Sequence, residues 1–222
     1  MTHATPISRS ILATVTGAFL AAAPLSALQF PLSETASRSA YFLGQRHDET
    51  VGEFFANYSK HLSPPKSGLY VSDISFLTPF AQLVEYSGHQ GIYSAQQAEL
   101  DGTRKFPNVE IAVYIYFSNP GVFPIAVKHS SSSTGAALPA DLGSSWREYT
   151  VRVFDGEELR EPASVSGQSQ LRCSNHGGCI RVGVAIYLSL PAEVFISDSA
   201  SVQVTTPDNQ LISVRFNLNS LR

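Results

Sequence analysis

The spacing of apolar positions changes along this chain, and each change predicts an element. Ile11 to Ala23 is a continuous apolar or small-residue run, broken only by Thr14, Thr16 and Gly17. A polar stretch carrying Arg9 precedes it, and Pro24-Leu25-Ser26-Ala27 follows. A basic start, a short apolar middle and a small-residue end are the pattern of a cleavable secretory signal. The run is shorter than the roughly 20 apolar residues that span a bilayer. Residues 1–27 are therefore read as a signal peptide. The cut is expected after Ala27; Ala23 is the weaker site, because Pro24 would follow it. A retained anchor helix is the alternative.

Residues 28–66 read as a tether and an N-terminal helix. Leu28 to Arg38 is the tether. From Ser39 to Leu62 the period is helical: Val51, Phe54, Phe55, Tyr58 and Leu62 form one apolar stripe. Asp48 is placed to cap, and Glu49 and Glu53 sit where the helix dipole favours acids. Ser63-Pro64-Pro65 should end the helix, because the residue before proline avoids the α region.

Residues 67–222 read as one β domain. Leu69 to Phe76 is a strand, and Phe80 to Tyr86 is expected to be a second, shorter one. A brief helix is expected near Ser94 to Leu100, with Ser94 as its cap. Val109, Ile111, Val113, Ile115 and Phe117 alternate with Glu110, Ala112, Tyr114 and Tyr116. This strand should be central, since both of its faces carry apolar groups. Asn119-Pro120-Gly121 fits a type II turn, with Val122 to Lys128 returning. His129 to Ser145 has no period. A second hairpin runs Arg147 to Phe154, turns at Asp155-Gly156 and returns from Glu157 to Val165. A third pairs Gln168–Cys173 with Cys179–Leu190. The last joins Ala200–Thr205 to Leu211–Leu218, with Ile212, Val214, Phe216 and Leu218 on its buried face. The pattern predicts a mainly β protein, an antiparallel β-sandwich with immunoglobulin-like order as one arrangement, carrying an N-terminal α-helix.

Composition changes the picture little. Only 15% of residues are charged and the formal charge is −3; without residues 1–27, which hold Arg9 and no acid, it is −4. No basic stripe marks a nucleic-acid binder. No like-charge block seeks a membrane surface, and no further apolar run is long enough to span one after signal removal.

Both cysteines lie in Cys173-Ser174-Asn175-His176-Gly177-Gly178-Cys179. In an exported chain an even cysteine count reads as a disulfide, so Cys173 and Cys179 are expected to pair. A metal site using His176 with both thiolates lacks a fourth ligand. No metal and no cofactor are expected.

No nucleophile elbow, H-E-x-x-H, P-loop or dinucleotide fingerprint occurs. His47-Asp48-Glu49 is dense in ionisable groups, but consecutive helical residues diverge. Asp155, Glu157, Glu158 and Glu161 read as a solvated acidic turn. Asp198 and Asp208 sit near strand ends with nothing to pair them. Trp146, Tyr114, Tyr116, Asn175 and His176 are the candidate binding residues, the aromatics as sugar platforms and the other two as loop contacts.

The expectation is an exported bacterial protein, periplasmic or secreted and not an enzyme, that binds a protein or glycan partner in the envelope or outside it. A carbohydrate-binding module is the first alternative. A hydrolase working through a carboxylate pair is the second, and it requires two acids facing one another across a cleft.

Overall fold

The computed structural model describes residues 28–66, 68–118, 126–127, 145–173 and 179–221. The signal segment, the Asn119-Pro120-Gly121 turn, residues 128–144 and the loop holding Asn175 and His176 lie outside them. The expected tether is in fact anchored. Leu28 and Leu32 are buried, Leu32 N–H donates to Gly102 O, and a helix begins within the tether's span.

The single helix expected over 39–62 is two helices and a strand. Helix α1 covers Glu34–Gly44, capped by Ser33, whose hydroxyl accepts from Ala36 N–H. Helix α2 covers Glu49–Ala56, capped as expected by Asp48. Strand β1, Ser59–His61, then pairs with β2, Leu69–Leu77. The apolar stripe is real: Phe54 and Phe55 are half-buried and Tyr58 is 1% exposed. It does not have to lie on one helix, because Asp48 offers a new start and β2 offers backbone partners to β1.

The strand expected at Phe80–Tyr86 is also helical. Helix α3 spans Pro79–His89, with Thr78 as cap and Pro79 in the first turn, where the missing N–H costs nothing. Phe80, Leu83 and Val84 fall at i, i+3 and i+4 and are buried together. Helix α4, Ala95–Arg104, is capped by Ser94, matching the sequence reading and extending it. Helices α1, α3 and α4 share a small core of Leu32, Ala40, Phe80, Leu83, Val84 and Ala98, and Phe54 and Phe55 of α2 pack against it.

The remainder is two antiparallel sheets. The first contains β1, β2, β3 (Asn108–Phe117), β8 (Cys179–Pro191) and β7 (Ser164–Cys173), paired in that order. Strand β4, Ala126–Val127, was expected to return against β3. It pairs with Cys179 and Ile180 of β8 instead. The second sheet has the order β10-β9-β5-β6, from Leu211–Asn217, Ser199–Thr205, Thr150–Asp155 and Glu158–Arg160. The turn after β5 forms as expected, with Gly156 at φ +61°. Its return ends at Arg160, however. Val165, expected to finish that hairpin, lies on β7 in the other sheet. The β7–β8 and β9–β10 hairpins match the sequence reading.

One buried cluster takes residues from both sheets, among them Ile74, Ile111, Ile186, Val153, Val202 and Phe216. The Phe76 ring of the first sheet meets Phe195 edge-on at 5.2 Å and lies tilted against Phe216 at 5.3 Å. Strand β2 keeps its core face despite an odd spacing between Val71 and Ile74. A bulge between Val71 and Asp73 absorbs the extra residue, so Val71, Ile74 and Phe76 all point inward.

Candidate functional site

The outward face of the first sheet follows from its registers, because directly opposed residues share a face. One row runs His61, Asp73, Tyr114, Ala185, Gln168 across five strands. The next runs Ser59, Ser75, Ala112, Tyr187, Ser166. On the other side of the first row, Tyr70 opposes Tyr116 and Tyr116 opposes Gly183. This face carries tyrosines, hydroxyls, an amide and a carboxylate, while the core face is aliphatic.

Between this face and the helices lies a cleft of about 600 Å³. Asp73, Ser75, Tyr114 and Tyr116 line its sheet side, and Arg46, His47, Glu85 and His89 belong to the helical side. The helices come close because α1 and α3 meet at glycines. A Cβ on Gly44 would stand 2.2 Å from Val84 O, and one on Gly88 would stand 2.9 Å from Gly44 O.

Polar contacts fix several of these groups. His61 Nδ1 contacts Asp73 Oδ1. His89 Nδ1 lies 2.8 Å from Glu85 O. The Gln82 side-chain amide donates to Leu77 O at 3.0 Å and Asn108 O at 2.7 Å, tying α3 to the ends of β2 and β3. Glu85 follows Gln82 by three residues, on the same helical face. It acts electrostatically on Glu110 and Tyr114. Burial, and then Glu85, raise the Glu110 carboxyl above its usual range. Burial also pushes the Tyr114 phenol up to about 12, aided by its neighbour Tyr187. The Tyr114 and Tyr187 rings meet edge-on at 6.4 Å.

Tyr116 has a different support. A Cβ on Gly183 would lie 3.1 Å from Tyr116 Cδ1 and 2.1 Å from Ile115 O. A side chain at residue 183 would therefore crowd both the Ile115 carbonyl and the edge of the Tyr116 ring.

The structure divides the sequence-derived candidates. Tyr114 and Tyr116 share the cleft. Trp146 does not join them: it packs against the shared core, over Gly167, and Gly167 opposes the core residue Ile186. Its indole also carries the Arg147 guanidinium at 5.3 Å. Asn175 and His176 lie outside the described residues. Asp155, read as part of a solvated turn, is 2% exposed. It accepts from Ile196 N–H, Ser197 N–H and Arg160. Among the described residues no three His, Cys, Asp or Glu side chains group as a metal site, and no helix is long and apolar enough to cross a membrane.

Asp73, Glu85, His61 and Tyr187 were missed as site residues. The outward positions of β2 and β8 were the available signal, but registers were needed to show that they meet Tyr114. Compared with models of known protein families and with curated protein sequences, the chain matches none.

Proposed function

We propose that this is an exported, non-enzymatic binding protein of β-sandwich architecture, immunoglobulin-like order being one arrangement, acting in the periplasm or outside the cell. Its ligand occupies the cleft between the helices and the first sheet. One observation carries the reading: the cleft at the outward face of the first sheet, lined by Asp73, Ser75, Tyr114 and Tyr116. A concave site with aromatic surface and a few fixed polar groups suits recognition. The signal-like N-terminus supports export. The shared core of the two sheets supports the sandwich. The register that sets Cys173 opposite Cys179 supports a disulfide there, because cross-strand Cα spacings of about 4.5–5.5 Å fall within what a disulfide accepts.

Hydrogen–deuterium exchange on the mature protein tests the binding site. An envelope polysaccharide or protein fraction should protect β2, β3 and α3. Protection confined to other elements would overturn the assignment. N-terminal sequencing of the exported chain should begin at Leu28.

A second reading, a hydrolase with a carboxylate pair, is favoured by Glu110. Its carboxyl is raised above its usual range by burial and then by Glu85, the direction a general acid uses. Turnover of glycoside substrates abolished by Glu110→Gln and by Glu85→Gln would replace the binding reading with this one.

A further inference from the structure

We infer that the cleft's ligand is an uncharged glycan chain lying across the strands, with Tyr116 as its stacking platform. This deepens the binding reading above and rests on it. The first argument is the platform. Gly183 leaves Tyr116 Cδ1 space that a side chain at residue 183 would crowd, and the half-buried ring lines the cleft. It offers a ligand an apolar face. The phenolic edge supplies a hydroxyl, the combination that makes tyrosine useful where one side of a ligand is apolar and the other polar.

The second argument is the row beside it. His61, Asp73, Tyr114 and Gln168 lie on successive or near-successive strands at one register. Strands lie ~4.8 Å apart, so the part of the face that lines the cleft, from Ser59 of β1 through Asp73 and Ser75 of β2 to Tyr114 and Tyr116 of β3, spans about 10 Å. That is room for about two sugar rings in line. Its hydroxyls and its carboxylate offer donors and acceptors to vicinal sugar hydroxyls. Gln168 and Ser166 continue the polar surface onto exposed β7.

The third argument is charge. Arg46 on the helical side faces Asp73 on the sheet side, and Glu85 lies on the helical side with Arg46. With the histidines neutral, one cation stands against two carboxylates, so the cleft holds no positive field that would select a polyanion. The Tyr114 phenol stays protonated at physiological pH and serves as a neutral donor.

The test is isothermal titration of the mature protein with cellohexaose, xylohexaose, maltohexaose and chitohexaose. At least one should bind. Tyr116→Ala should weaken it about tenfold, and Tyr114→Ala should weaken it measurably. Tyr116→Phe, which keeps the ring, should retain most of the affinity. Trp146→Phe, on the core face, should bind as the parent does. Circular dichroism confirms that each variant is folded. Glycan binding that survives both alanine substitutions in folded protein overturns the inference. So does failure of all four sugars. Where the sugars fail but an unbiased peptide library protects β2 and β3 from exchange, the glycan assignment falls and the binding reading stands. Where neither probe protects them, both fall.

Discussion

Gly167 lies directly beneath the indole of Trp146: a Cβ at residue 167 would sit 2.1 Å from Trp146 Cγ and 2.3 Å from Cδ1. The contact assigns the tryptophan to the core face of β7 and removes it from the tyrosine face. It also explains a glycine in the middle of a long strand, where glycine otherwise weakens pairing.

Gly167→Ala should therefore displace the indole. Overpacking of this kind costs about 1–3 kcal/mol, read as a lower urea midpoint at unchanged slope. Trp146 is the single tryptophan of the chain, so its fluorescence should shift to the red in the folded variant. An unshifted spectrum would place the indole elsewhere.

Asp155 is a structural carboxylate. Its partners come from two places, Arg160 across the hairpin and the N–H groups of Ile196 and Ser197. Asp155→Ala strands the Ile196 and Ser197 N–H groups and leaves Arg160 with Glu158 alone. Removing one member of a buried ionic network costs roughly 3 kcal/mol. The loss should appear in chemical denaturation, with exchange of the Ile196 and Ser197 amides accelerated.

Glu110 makes stability depend on pH in the less usual direction. Its carboxyl is raised in the folded protein by burial, and then by Glu85, so between the unfolded and the folded pKa the native state holds more protons. Stability must fall as pH rises through that window, and it is fully present below it. Glu110→Gln removes the titration. Melting temperatures should coincide for parent and variant at acid pH and diverge in favour of the variant above the window. Parallel curves throughout would show that Glu110 is not perturbed.

The Cys173–Cys179 pairing is tested by reduction. Closing so short a loop stabilises by about 2 kcal/mol in the chain-entropy account. Reductant should lower the denaturation midpoint accordingly and release two thiols. A Cys173→Ser, Cys179→Ser double variant should lose its sensitivity to reductant. Two thiols titrating before reduction would exclude the bond.

Much of the strand content was legible because it is local. The alternation in Val109–Phe117 and in Leu211–Leu218 fixes which side chains face inward, whatever the partner. Asp48 and Ser94 act as caps where the sequence places them, since a cap needs only the next few residues. Thr78-Pro79 carried the same kind of signal for α3, and the short apolar run Phe80–Tyr86 obscured it. The i, i+3, i+4 spacing of Phe80, Leu83 and Val84 decided in favour of helix once a second small core existed to receive it.

The mainly β class, the periods of the strands, the caps and the inward sets are readable along the chain, because all of them rest on interactions between near neighbours. Which sheet each strand joins, and so which outward residues meet, depends on packing between distant segments. Tyr114 comes beside Asp73 and Tyr187 through pairings with β2 and β8, and Trp146 falls on the opposite face because β7 turns Gly167 inward. Those are registers between distant segments. They are set by the fit of two inner faces around one core, and no local pattern encodes them.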